Sequence, residues 1–137
     1  MTMPTPSHFD QLLQSAAAQP DPQRLLFVFA AAELPVDATP AQRERFEQGL
    51  GGALKPLACV DKTPDELSTF EALVEESRQA SPPWQVAFVA ALSGQGGQPP
   101  SDQSVDAALN AMVEGVRIGR LQQWLALDRH GEPLHFS

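Results

Sequence analysis

The sequence has a single cysteine: among 137 residues Cys59 stands alone. One thiol cannot close an internal disulfide or build a thiolate zinc cage. Cations are also scarce, with 9 Lys and Arg against 17 Asp and Glu, for a formal net charge of −8. Such a chain repels phosphate backbones and anionic membrane surfaces, so neither nucleic acid nor membrane is an expected partner. A basic protein partner stays open. Long apolar runs are missing as well. The longest, near residues 25–32 and 86–92, are far too short to span a bilayer. Residues 1–8 lack a basic region followed by an apolar run, so no signal peptide is read there and a cytoplasmic protein is expected. Of the three histidines, His8, His130 and His135, no two have the helical spacing of a metal pair.

Apolar residues nevertheless make up 42 % of the chain, and its length allows one domain with a sizeable core. Residues 1–6 hold two prolines and are expected to be disordered, leaving 7–137 as a single domain. The stretch that organises the rest is 84–93, Trp-Gln-Val-Ala-Phe-Val-Ala-Ala-Leu-Ser. It carries no charge and has bulk on both parities, which predicts a strand buried on both faces. Residues 24–33, containing Leu-Leu-Phe-Val-Phe, read the same way. Residues 53–60 form a weaker strand, because Lys55 and Pro56 interrupt it; the proline favours an edge or a bulge. Imperfect alternation over 121–128, a turn at 129–132 and a short strand over 133–136 predict a C-terminal hairpin.

Helices fall between these strands. Ser7 caps a short amphipathic segment carrying Phe9, Leu12, Leu13, Ala16 and Ala17, which Pro20 and Pro22 end. Thr39-Pro-Ala-Gln and Thr63-Pro-Asp-Glu fit capping boxes with proline at the first helical position. The first opens a short charged helix to about Gln48; Gly49, Gly51 and Gly52 follow as a flexible turn. The second opens a helix predicted to run to about Gln79. Ser101 caps the last, whose stripe is Val105, Ala108, Leu109, Met112, Val113 and Val116, with Gly119 as its stop. The expected fold is therefore α/β: one domain, a mixed sheet of four or five strands, three main helices and one short one. Strand–helix–strand succession suggests parallel crossovers. Crossovers moving in one direction place their helices on one face. The second face then needs the N-terminal helix, or a second copy of the chain, to cover it.

Residues 25–35 (Leu-Leu-Phe-Val-Phe-Ala-Ala-Ala-Glu-Leu-Pro), 51–66 with Cys-Val-Asp-Lys-Thr-Pro, 88–94 (Phe-Val-Ala-Ala-Leu-Ser-Gly) and 125–133 together resemble a group of small proteobacterial proteins. Some members of that group are labelled automatically as ribonucleotide reductase alpha subunits. The residues here contradict that chemistry. Radical reduction of ribonucleotides needs a thiyl cysteine plus a reducing pair, on a barrel several times longer than this chain. The resemblance implies a fold and no mechanism.

Candidate sites follow from the expected topology. If the second and third strands are neighbours, Asp61 and Thr63 share a rim with Ser93, Gly94 and Gly96, where open α/β sheets bind ligands. Acidic residues crowd that rim, and Ser-Gly-Gln-Gly-Gly matches neither a P-loop nor the dinucleotide fingerprint. Cys59 has no histidine near it in sequence to serve as base. No catalytic set, metal site or cofactor is expected. Trp124, Leu134 and Phe136, on a terminal hairpin expected at the sheet edge, mark a possible interface between copies. Two readings result. The first is a non-enzymatic interaction protein, with itself or another protein as partner. The second is a small-ligand binder or enzyme using the Asp61/Ser93 rim. The charge balance generates one direct expectation. The purified chain should show no salt-sensitive binding to duplex or single-stranded oligonucleotides at micromolar protein; saturable binding that weakens with salt would contradict it.

Overall fold

The computed structural model describes residues 7–33, 37–47 and 53–135. The N-terminal six residues, Leu34 and Pro35, the glycines 49, 51 and 52 expected to form a turn, and Phe136 lie outside them. Four strands form one sheet in the order β2-β1-β3-β4. They are β1 (Gln23–Glu33), β2 (Ala53–Lys62), β3 (Val86–Ser93) and β4 (Leu125–Leu127). The helices are α1 (His8–Ala17), α2 (Pro40–Glu47), α3 (Phe70–Ala80) and α4 (Asp102–Arg117). The protein is thus a small α/β domain with a four-stranded sheet.

Every neighbouring pair of strands is antiparallel. The parallel crossovers expected from element order are therefore not formed. Apolar bulk on both faces reports that a strand is covered on both sides; it says nothing of direction. Residues 33 and 53 pair across β1 and β2, so the connection containing α2 leaves and returns at the same end of the sheet. Between β2 and β3 the chain does traverse the sheet, since Lys62 faces Leu25 while Val86 faces Ala30.

Alternation along β1 divides the core. Leu25, Phe27 and Phe29 join Phe9 and Ala16 of α1 and Phe70 and Leu73 of α3. Leu26, Val28 and Ala30 join Phe88 of β3 and Val105, Leu109, Met112 and Val116 of α4. Both faces are covered within one chain: α1 and α3 on one side, α4 on the other. On the α1 side the rings of Phe9 and Phe70 meet edge-on at 5.3 Å, and Phe29 lies 4.9 Å from Trp84. Trp84 is buried just before β3, and its indole N–H donates to Ser77 Oγ at 2.8 Å. That bond removes the cost of enclosing an unpaired donor.

Most of the helix starts are those the caps predict. Ser7, Thr39 and Ser101 accept from the backbone N–H groups of Asp10, Gln42 and Ser104. The exception is the segment after Thr63. Pro64–Glu66 makes only a 3-10 turn, residues 67–69 leave the helix, and Thr69 caps α3 through Ala72 N–H at 3.1 Å. Two cap-competent threonines stand six residues apart, and the second wins because it starts the face that carries Phe70 and Leu73 into the core. Pro56 sits on edge strand β2 next to a bulge: Phe29 faces Ala58 and Ala30 faces Pro56, leaving Leu57 as the extra residue.

The predicted strand over 121–128 is shorter in the structure. Leu121–Gln123 is a 3-10 turn and only Leu125–Leu127 pairs with β3. The turn at 129–132 is present, held by Asp128 Oδ1, which accepts from His130 N–H at 2.8 Å and Glu132 N–H at 3.0 Å. Beyond it the expected strand reduces to one bridge, Leu127 to Pro133.

Phe88 is fully buried between β1 and α4. Phe88→Ala should destabilise the fold by about 3–5 kcal/mol, because the surrounding layers cannot collapse onto the vacated volume. A chemical-denaturation midpoint unchanged by the substitution would remove β3 from the centre of the core.

Candidate functional site

The start of β1 lies between the ends of β2 and β3. Leu25 faces Lys62 on one side and Gln23 faces Ser93 on the other. The Asp61 and Ser93 strands are therefore not neighbours, yet both reach the same rim with one strand between them. What each predicted residue does there follows from its bonds.

Asp61 is an ion-pair partner. Its Oδ2 lies 3.4 Å from Nε of Arg24, close enough for attraction but poorly aligned for a hydrogen bond, and that Nε is shut off from solvent. The same guanidinium has Glu66 Oε1 at 3.8 Å from Nη1. Thr63 donates both its N–H and its hydroxyl to Glu66 Oε1, each at 2.9 Å. Its hydroxyl proton is thereby committed. Ser93 Oγ accepts from Gln23 Nε2 at 2.9 Å and donates to the Gly94 carbonyl at 3.0 Å.

The glycines are explained by backbone geometry. Gln95 and Gln98 exchange two backbone hydrogen bonds at 3.0 Å around Gly96 and Gly97, which have φ of 59° and 78°. Positive φ at both central residues marks the turn that suits a two-residue hairpin. Gly94 is buried where the loop folds back, and a Cβ there would stand 1.8 Å from the Gln98 carbonyl oxygen. The loop is strapped to the body by Gly94 N–H to the Pro22 carbonyl and Gly97 N–H to Asp21 Oδ1, both at 2.8 Å.

Beside this network is an open cleft of about 720 Å³. One wall is the C-terminal half of α1, with Leu13, Ala16 and Ala17. Residues 19–24 lie along it, and residues 63–65, with Gly97 and Pro99, complete it. Of the five predicted ligand-binding residues, Thr63 lines the cleft; Asp61, Ser93, Gly94 and Gly96 do not. The α1 wall and the Pro20–Pro22 bend were missed because small apolar side chains and prolines carry no chemical signature. Their only signal is placement: the α1 stripe ends in Ala16-Ala17, where the bulk needed to fill the space runs out.

Charge at the cleft is lopsided. Asp21 and Asp65 line it, and its one lining cation, Arg24, is already shared by Asp61 and Glu66. Among the described residues no group of three or more His, Cys, Asp and Glu is placed to hold a metal. Cys59 is exposed on edge strand β2. No described helix is long and apolar enough to cross a membrane.

The proposed interface residues sit elsewhere. Trp124 and Leu134 are half-buried and pack against the α4 side of the core. The Trp124 ring meets Phe88 edge-on at 6.3 Å and lies on Gly115, where a Cβ would come within 2.3 Å of its Cη2. Phe136 is outside the described residues. No protein-family model matches the chain, and neither a curated protein nor a solved structure matches it. Function has therefore to be read from the chain's own geometry.

Glu66 provides a check on the rim network. Its carboxyl is held below the ordinary glutamate range, first by the Thr63 N–H, then by the Thr63 hydroxyl, with Lys62 and Arg24 assisting. Because the folded-state value is depressed, its contribution to stability is present above the unfolded value and is lost as pH falls through the folded one. Carboxyl-detected NMR titration should place Glu66 below the ordinary glutamate value, and Thr63→Val should move it part of the way back. A titration unaffected by Thr63→Val would show that the hydroxyl bond is not made in solution.

Proposed function

We propose that the protein is a non-enzymatic interaction module whose docking surface is the cleft beside the β1 start. The observation that carries this reading is the cleft's make-up: open, and walled by the apolar side chains of α1 and by Pro20, Pro22, Pro64 and Pro99. Thr63, Ser93 and Asp61 each have their partners inside the chain. Such a surface offers apolar area and fixed shape, with Asp21 and Asp65 adding negative charge at the border. A segment presenting an apolar side chain next to cations fits both properties, and the net charge of −8 favours its approach.

A second reading is favoured by volume alone, since about 720 Å³ falls within the usual range of small-molecule sites. Ala17 is exposed on the cleft wall and Gln79 is exposed on α3, away from it. A photo-crosslinking residue at position 17, used in the native cell, should give a discrete protein adduct that the same residue at position 79 does not. Equal labelling from both positions would overturn the docking reading. A metabolite thermal-shift response abolished by Ala17→Arg would favour the small ligand instead.

A further inference from the structure

We infer that the occupant of the cleft is a second copy of this chain, which inserts Ile118, set between Arg117 and Arg120, in a head-to-tail contact. The inference rests on the cleft being a protein-docking surface and goes further by naming what docks. Among the described residues Ile118 is the large hydrophobic side chain left exposed, at 56 %. A single exposed apolar residue needs no explanation by itself; its neighbours and its rigidity set this one apart.

Ile118 follows the last turn of α4, where its N–H donates to the Glu114 carbonyl. Gly119, at φ 83°, donates to Val116, and Arg120 N–H donates to the Gly115 carbonyl at 2.8 Å. These bonds fix the turn, so presenting Ile118 costs little ordering entropy on association. Arg117 meets Glu114 at 3.3 Å in an exposed i,i+3 pair, an arrangement worth little in water, so its charge stays available. Arg120 has no ion-pair partner among the described residues. The chain has only 9 cations, and two of them flank this exposed side chain. The cleft presents the complement: an apolar floor with Asp21 and Asp65 at its border. General repulsion between two chains of −8 is screened beyond about 8 Å at physiological ionic strength, whereas the local pairs act at contact.

Knob and cleft lie at opposite ends of α4. Pro99, three residues before the helix, lines the cleft, and Ile118 follows it. Sixteen residues of helix separate the two by about 24 Å. A one-way insertion is heterologous and extends to chains or rings, whereas two copies exchanging knobs reciprocally would close as an isologous dimer, the outcome that would overturn the head-to-tail contact.

The test is sedimentation velocity over a range of concentrations on the native chain and three sets of variants. The native chain should gain mass with concentration and pass beyond the dimer. Ile118→Asp, with its cleft intact, and Ala17→Arg, with its knob intact, should each be monomeric. An equimolar mixture of the two should stop at a heterodimer, because only one productive contact remains. Arg120→Glu and Asp65→Arg should each weaken association about three- to fivefold, as exposed ion pairs do, and the double charge swap should recover most of it. A native chain that stays monomeric, or a mixture that stays monomeric while the native chain associates, overturns the inference. If the native chain is monomeric while the position-17 adduct still forms with a different protein, the docking reading survives and the second copy does not. If neither occurs, both fail.

Discussion

The middle of strand β1, residues 25–30, has neither a face nor an edge left for water. Leu25 through Ala30 are all buried, with β2 and β3 hydrogen-bonded on either side and helices above and below. A strand of consecutive large apolar residues tolerates no other position. Once it is central, the rest of the arrangement follows. The α1 stripe, beginning at Phe9, must lie on Phe27, and α4 must lie on Leu26 and Val28. Because α4, with Trp124 and Leu134, covers one face and α1 with α3 the other, the sheet needs no second chain to complete its core.

What the sequence reveals of this follows from the kind of signal each feature leaves. Burial leaves a strong one: the uncharged run at 84–93 and the Leu-Leu-Phe-Val-Phe run at 25–29 mark the two central strands. Caps leave a strong one too, as at Ser7, Thr39 and Ser101. Strand direction leaves none, because side-chain alternation is the same whichever way the neighbour runs, and so the antiparallel pairing was not legible. The 63–69 segment was ambiguous for another reason. Thr63 and Thr69 are both good starts, and only the docking of Phe70 beside Phe9 decides between them.

The rim shows the same division. Asp61, Thr63, Ser93, Gly94 and Gly96 do gather at one end of the sheet, as their positions at strand ends predict, although β1 stands between the two strands that bring them. Their chemistry is then spent on holding the rim together. Gly96 and Gly97 supply the positive φ of a tight hairpin, Gly94 lets the loop close on itself, and Asp21 and Gln23 anchor it. The cleft opens one step away, where α1 runs out of bulk at Ala16-Ala17 and the chain bends at Pro20 and Pro22. A shortage of side-chain volume at the meeting of three segments is a property of the fold, and no spacing rule in one segment can express it.

The two edges of the sheet explain why association would be directed to the cleft. β4 is three residues long, and its outer side is met by residues 132–134: Leu134 N–H donates to the Ala126 carbonyl, Asp128 N–H donates to the Glu132 carbonyl, and Pro133 has no N–H to offer. β2 is ten residues long but carries a bulge beside Pro56, an exposed Lys55, and Asp61 and Lys62 at its end. Short strands, proline, bulges and charge are the features that discourage strand-to-strand addition. Backbone pairing between copies is thereby disfavoured at both edges, and the other sticky surfaces, Trp124 and Leu134, are turned inward onto α4. The apolar cleft lined by Asp21 and Asp65, and the exposed Ile118 between Arg117 and Arg120, have no such guard. These two features lie at opposite ends of one helix, whereas the sheet edges are guarded.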